Sequence, residues 1–268
     1  MPKVRPILLI GPFHLSTYRI QELITLNRKL RIAVVGGSAC SAVGLRADAK
    51  AWPDILQENI RCELIYSSVG GLTLVRSIEY IVDLPESDIL VLHFGTSIGW
   101  PVALAKLQDR FGIKFSNEFG LHQSLRNSTA PFQKRLRKFF KQKLKNFIKY
   151  LFFLAGQYRP KVSIHEIEDQ IDALAAVLNG KARHILWIQH RVLQNSHTFI
   201  ERYFYKNYYK KVLKLVENST RTQIISVPIS DSFIESENYL SDWVHLSEAG
   251  HYKIYQLVRD ELMRLRVL

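Results

Sequence analysis

Short runs of consecutive apolar, β-prone residues recur along the chain at 32–35, 63–66, 89–93, 184–188 and 222–227. Between them lie longer stretches in which apolar residues return every three or four positions, the period of an amphipathic helix. Strands buried on both faces read as unbroken apolar runs, and parallel neighbours need a crossover element. The alternation therefore predicts a parallel sheet of about five strands covered by helices on both sides, a three-layer α/β/α arrangement of flavodoxin-like type. A further run at 7–10 is placed as an edge strand.

Several helices carry their own start and stop signals. Ser163 followed by Glu166 forms a capping box, the pattern IHEIEDQIDALAAVL continues the helix, and Gly180 is placed to end it. A second helix is expected over 198–216 and a last one over 247–264. The stretch 112–160 holds no convincing buried strand and breaks the alternation. It reads as an insertion with a loop to Pro131 and then a basic helix, inside one domain spanning 1–268.

Composition narrows the class. With 268 residues and 47% hydrophobic positions the chain can bury a substantial core. Cys40 and Cys62 are too few for a disulfide framework and form no CxxC pair, which points to a reducing, cytoplasmic setting. The opening MPKVRPILLIGPFHLSTYRI has basic residues before an apolar run, yet no small-residue cleavage site, so no secretory signal is expected. Apolar runs elsewhere in the chain, YLFFLAGQY at 150–158 included, fall short of the ~18 residues of a spanning helix.

The formal net charge of +13 is concentrated in one place. Between Lys134 and Lys149 stand eight Lys or Arg and no acid, leaving +5 for the rest of the chain. There Leu136, Phe139, Phe140, Leu144, Phe147, Ile148 and Leu151 follow a helical period, with basic residues on the other positions. Such a helix suits an anionic membrane surface at the inner face, or else packs its stripe on the domain and leaves its lysines solvated. No DNA- or RNA-binding motif accompanies the charge, so a nucleic-acid partner is not expected.

The segment IAVVGGSACS, residues 32–41, allows three readings. As a dinucleotide fingerprint it fails, because Ser38 and Ser41 stand where the second and third glycines of GxGxxG belong. As a GxSxG nucleophile elbow it carries Gly36 and Ser38 but has Cys40 in the last glycine position. In the third reading the glycines only make a turn and Ser38 caps the next helix.

The other end of the chain bears on the choice. In SDWVHLSEAGH, Asp242 and His245 lie three apart just before an amphipathic helix. A carboxylate so placed can orient an imidazole, which can take a proton from a serine at the end of the first strand. His93 ends an expected strand close to that site and His190 ends another, so each either contacts substrate or is structural, and His251 reads as support for the final block. Cys40 is a second candidate nucleophile.

With these blocks the sequence resembles the SGNH hydrolases, also called the GDSL esterase and lipase superfamily. That family places its nucleophilic serine after the first strand, an oxyanion glycine in a second block, an asparagine in a third and a DxxH pair in the last. The resemblance implies Ser38 as nucleophile in VVGGSACSAVG and Gly71 as the oxyanion glycine in YSSVGGLTL, with Gly70 one position away. In VLHFGTSIGW it matches Gly95, and in the last block it implies Asp242 and His245 as acid and base. Two departures mark a divergent member: Gly37 replaces the block I aspartate and Ser97 the block III asparagine. The implied oxyanion hole is then Ser38, Gly71 and Ser97.

The expected activity is ester hydrolysis through an acyl-serine, on an acylated carbohydrate or lipid-linked glycan. An O-acyltransferase of polysaccharide biosynthesis and a catalytically silent glycan-binding protein are the alternatives. With no HExxH, Walker loop or EF-hand, neither a metal nor a nucleotide cofactor is expected.

Overall fold

The computed structural model describes residues 29–94, 140, 143–144, 147–148, 150–155, 160, 162–189, 199–219, 223–227, 229, 236–240 and 245–268. Five strands form one sheet: β1 (Leu30–Gly36), β2 (Cys62–Ser68), β3 (Ser87–Phe94), β4 (Ala182–Gln189) and β5 (Ile224–Val227). Their order is β2-β1-β3-β4-β5, and every neighbouring pair is parallel. The first four strands extend beyond the apolar runs that announced them, because polar flanks also pair. Arg31, for instance, pairs with Glu63 and Ser87 with Ala182. The expected strand at 7–10 lies outside the described residues, as does most of the 112–160 stretch.

The described helices with both ends given are α1 (Trp52–Asn59), α2 (Leu74–Val82), α3 (Ile164–Leu178), α4 (Phe199–Glu217) and α5 (Glu248–Arg264). The capping box forms as expected, with Ser163 Oγ accepting from the Glu166 amide at 3.1 Å and the Glu166 carboxylate from the Ser163 amide at 2.7 Å. Helices α1 and α2 were not delimited from the sequence. Each is short, and its start depends on one local bond, from the Ala51 amide to Asp54 at 3.2 Å and from the Arg76 amide to Thr73 at 3.4 Å.

Alternate side chains of each strand enter two separate cores. Ile32, Val34, Ile89, Val91, Leu186 and Ile188 pack with α1 and α5, whereas Ala33, Val35, Leu90, Leu92, Ile185 and Trp187 pack with α2, α3 and α4. Both sets are buried, which is why the strands read as continuous apolar runs. The helix that leaves β1 thus covers one face, and the helix between β3 and β4 covers the other. Between β1 and β3 the chain order reverses direction, the place where open parallel sheets generally take their ligands.

Candidate active site

β1 delivers the chain into a turn fixed from three directions. A Cβ on Gly36 would stand 2.1 Å from Cys40 Sγ and 2.8 Å from the His93 carbonyl oxygen, so only glycine permits the fold-back. The Gly37 amide donates to the His93 carbonyl at 3.1 Å, while the Gly37 carbonyl accepts from the Cys40 amide at 2.9 Å and from Ser68 Oγ at 3.1 Å. The Cys40 carbonyl accepts from the Tyr66 hydroxyl. Burial pushes the Tyr66 phenol up to about 12, which keeps its donating proton in place.

Ser38 begins the resulting 3-10 turn, Ser38–Cys40, and is half-buried. Its carbonyl accepts from the amide and the hydroxyl of Ser41, at 3.2 and 3.1 Å. The capping position is taken by Gly37, with no side-chain cap, so the reading of Ser38 as a helix cap does not hold. Cys40 is fully buried and burial raises its thiol pKa, which removes the thiolate a cysteine nucleophile would need.

After β2 the chain turns through Gly70 and Gly71, and Gly71 takes φ +69°, a left-handed conformation suited to glycine. The Val69 amide donates to the Gly36 carbonyl at 3.0 Å, so this turn is attached directly to the one bearing Ser38. Ser97 and Gly95 lie outside the described residues, as do Asp242 and His190.

His245 is half-buried and lies just before α5. Tyr239 and Leu246 form an antiparallel bridge, and the Leu240 amide donates to the His245 carbonyl at 2.8 Å. The Ser247 amide donates to Asn238 O at 3.0 Å, and Ser247 Oγ accepts from the Gly250 amide at 3.1 Å, which caps α5. This block meets the chain that follows Ser38. A Cβ on Gly44 would come within 2.8 Å of Leu240 Cδ1, and Arg46 forms a forked pair with Glu248 at 2.9 and 3.1 Å. Tyr239 and Leu246 share a buried cluster with Ala39 and Cys40. The flanks of Ser38 and His245 are thus packed together, 207 positions apart in sequence.

Beneath them sits a side chain that sequence reasoning missed. Trp52, at the start of α1, is fully buried; its amide donates to His251 Nδ1 and its indole N–H to His93 Nδ1, each at 3.2 Å. It therefore joins the end of β3 to the first turns of α5. Pro53 and Asp54 signal a helix start in the sequence, but nothing local reveals the two histidine partners.

His251 is buried, and burial first, then the neighbouring His245, lowers its pKa from 6.5 to about 4. Between those values the unfolded chain binds a proton that the folded chain refuses, so stability is full above pH 6.5 and declines as the pH falls toward 4. The expected loss is up to about 3 kcal/mol. His251→Gln keeps an acceptor for the Trp52 amide and should flatten this slope in urea unfolding across that range. Equal slopes for the two proteins would contradict the assignment.

Among the described residues no group of three His, Cys, Asp or Glu side chains is placed to hold a metal ion. No protein-family model matches the chain, and no curated protein matches it in sequence. Solved structures do. The lipase/acylhydrolase from Enterococcus faecalis aligns with a TM-score of 0.51 at 10% identity, over 87% of this chain and 95% of its own. The psychrotrophic esterase EstA from Pseudoalteromonas sp., solved with monoethylphosphonate as inhibitor, aligns with a TM-score of 0.51 at 12% identity, over 89% of this chain and 99% of its own. Sheet order, layering and these alignments agree: the chain has the three-layer α/β/α fold of the SGNH hydrolases.

Proposed function

We propose that the chain is a serine ester hydrolase working through an acyl-Ser38 intermediate. The observation that carries this reading is the Ser38 turn itself: a half-buried serine at the carboxyl edge of the sheet, held by bonds from β2 and β3, with the His245 block packed against its flank. Similarity in fold to a lipase/acylhydrolase and an esterase supports the same chemistry.

In this mechanism Ser38 Oγ attacks the acyl carbonyl carbon while its proton passes to His245, which Asp242 orients. The oxyanion that forms is met by the Ser38 and Gly71 amides and by the Ser97 hydroxyl. Collapse breaks the ester bond, and the alcohol leaves with the proton from His245. Water then attacks the acyl-serine by the same route, releasing the acid and restoring Ser38. A serine hydroxyl has a shorter reach than the asparagine amide of the resembled family, and one oxyanion donor is worth about 10²–10³ in rate, so turnover should be slow.

The alcohol half is assigned to a carbohydrate, free or lipid-linked, and the protein to the cytoplasmic side of a membrane. The free, buried thiols Cys40 and Cys62 suit a reducing compartment, and the basic segment suits an anionic carrier. An O-acyltransferase would use the same acyl-serine, with a sugar hydroxyl in place of water. The test is acid release from p-nitrophenyl acetate and from acetylated oligosaccharides, with and without added sugar acceptor. Release on both supports the reading, and transfer to the acceptor selects the acyltransferase form. No release above the buffer rate on either contradicts it and leaves a silent binding protein.

A further inference from the structure

The chain is helical at 140, 143–144, 147–148 and 150–154. Phe140, Leu144, Phe147, Leu151 and Leu154 recur at intervals of four and three, so they form one stripe along the helix. All five are exposed, by 47% to 63%. Ile148 and Phe152 are the half-buried apolar positions, and helical geometry puts them about a quarter turn around from the stripe. The helix therefore does not use its main apolar face to pack on the domain, which removes the reading in which that stripe is ordinary core. Five large apolar side chains on one line form a contiguous patch of the kind that marks an interaction surface.

Charge selects the partner. Eight Lys or Arg lie between Lys134 and Lys149, and no acidic residue occurs between Glu118 and Glu166. A Phe and Leu stripe in a segment rich in Lys and Arg and free of acidic residues is the pattern of a helix lying in the headgroup region of a bilayer, apolar face down and ammonium groups against lipid phosphates. Among the described residues no helix is long and apolar enough to cross a membrane.

We infer that this face, centred on Leu144, Phe147 and Leu151, docks the protein on an anionic lipid surface. Docking would suit a lipid-linked substrate, though the inference does not depend on the ester chemistry and is read without turnover.

The experiment is co-sedimentation of the full chain with vesicles of phosphatidylcholine alone or mixed equally with phosphatidylglycerol. Binding to the anionic vesicles should exceed that to neutral ones by about tenfold or more. It should weaken as salt rises to about 1 M, where the screening length falls to about 3 Å. Leu144→Gln with Phe147→Gln removes apolar surface without adding charge and should lower binding by about tenfold or more, with the melting temperature unchanged because both sites are exposed. Equal binding to both vesicle types, no binding to either, or wild-type binding by the double variant would overturn the proposal. So would a wild-type dimer in solution that the double variant abolishes while vesicles bind neither protein, since the stripe would then be covered by a second copy.

Discussion

Ser38→Ala is expected to lower kcat/KM for p-nitrophenyl acetate by about 10⁴-fold or more. The nucleophile and its base act as one unit, so Ser38→Ala combined with His245→Ala should lose little beyond the single change. The comparison is clean because the Ser38 side chain caps nothing: the turn is held by the backbone of Gly37 and Cys40 and by Ser68, Tyr66 and His93, all of which the substitution leaves intact. Unfolding free energy should therefore stay within about 0.5 kcal/mol of wild type. Steady-state rates at saturating and limiting substrate check both statements, and a variant that keeps the wild-type rate removes Ser38 from the chemistry.

Trp52→Ala should cost about 3–5 kcal/mol of stability, the largest effect expected of a change away from the site. Trp52 is fully buried between β3, α1 and α5, so truncation leaves a cavity and strips His93 Nδ1 of its indole donor. Trp52→Phe separates the two contributions. It retains most of the apolar volume and loses only the N–H donor, for which about 1–3 kcal/mol is expected with the imidazole left buried. Urea unfolding of the three proteins checks the order, and a Trp52→Ala protein as stable as Trp52→Phe would show that packing at this junction contributes little.

What could be read from the sequence was whatever a few neighbouring residues decide. Ser163 and Glu166 satisfy each other's amides within one turn, so their capping box was legible and formed. Strands β1 and β3 were legible because both faces are buried, which leaves the unbroken apolar run of a parallel strand covered on both sides. The role of the glycine turn was not. Gly36 is required by Cys40, four residues on, and by the carbonyl of His93, 57 residues on, and only the pairing of β1 with β3 brings that carbonyl close. Local sequence therefore left open the reading of Ser38 as a cap, and the fold removed it.

Trp52 was hidden for the same reason, since its partners His93 and His251 are 41 and 199 residues away. Periodicity likewise gave the stripe of Phe140, Leu144, Phe147 and Leu151, but not which side of the helix the domain would cover. That depends on where Ile148 and Phe152 meet the rest of the chain. The expected site residues divide along the same line: Ser38, Gly71 and His245 have places in the described structure, while Ser97 and Asp242 rest on block resemblance alone.

An activated Ser38 is the central claim, and covalent labelling reads it without knowledge of the natural substrate. The purified protein is treated with a fluorophosphonate, digested, and the adduct located by mass. The account predicts one adduct, on Ser38, absent from Ser38→Ala and formed much more slowly by His245→Ala. A folded protein that takes up no label, or takes it up on a serine other than Ser38, would contradict it.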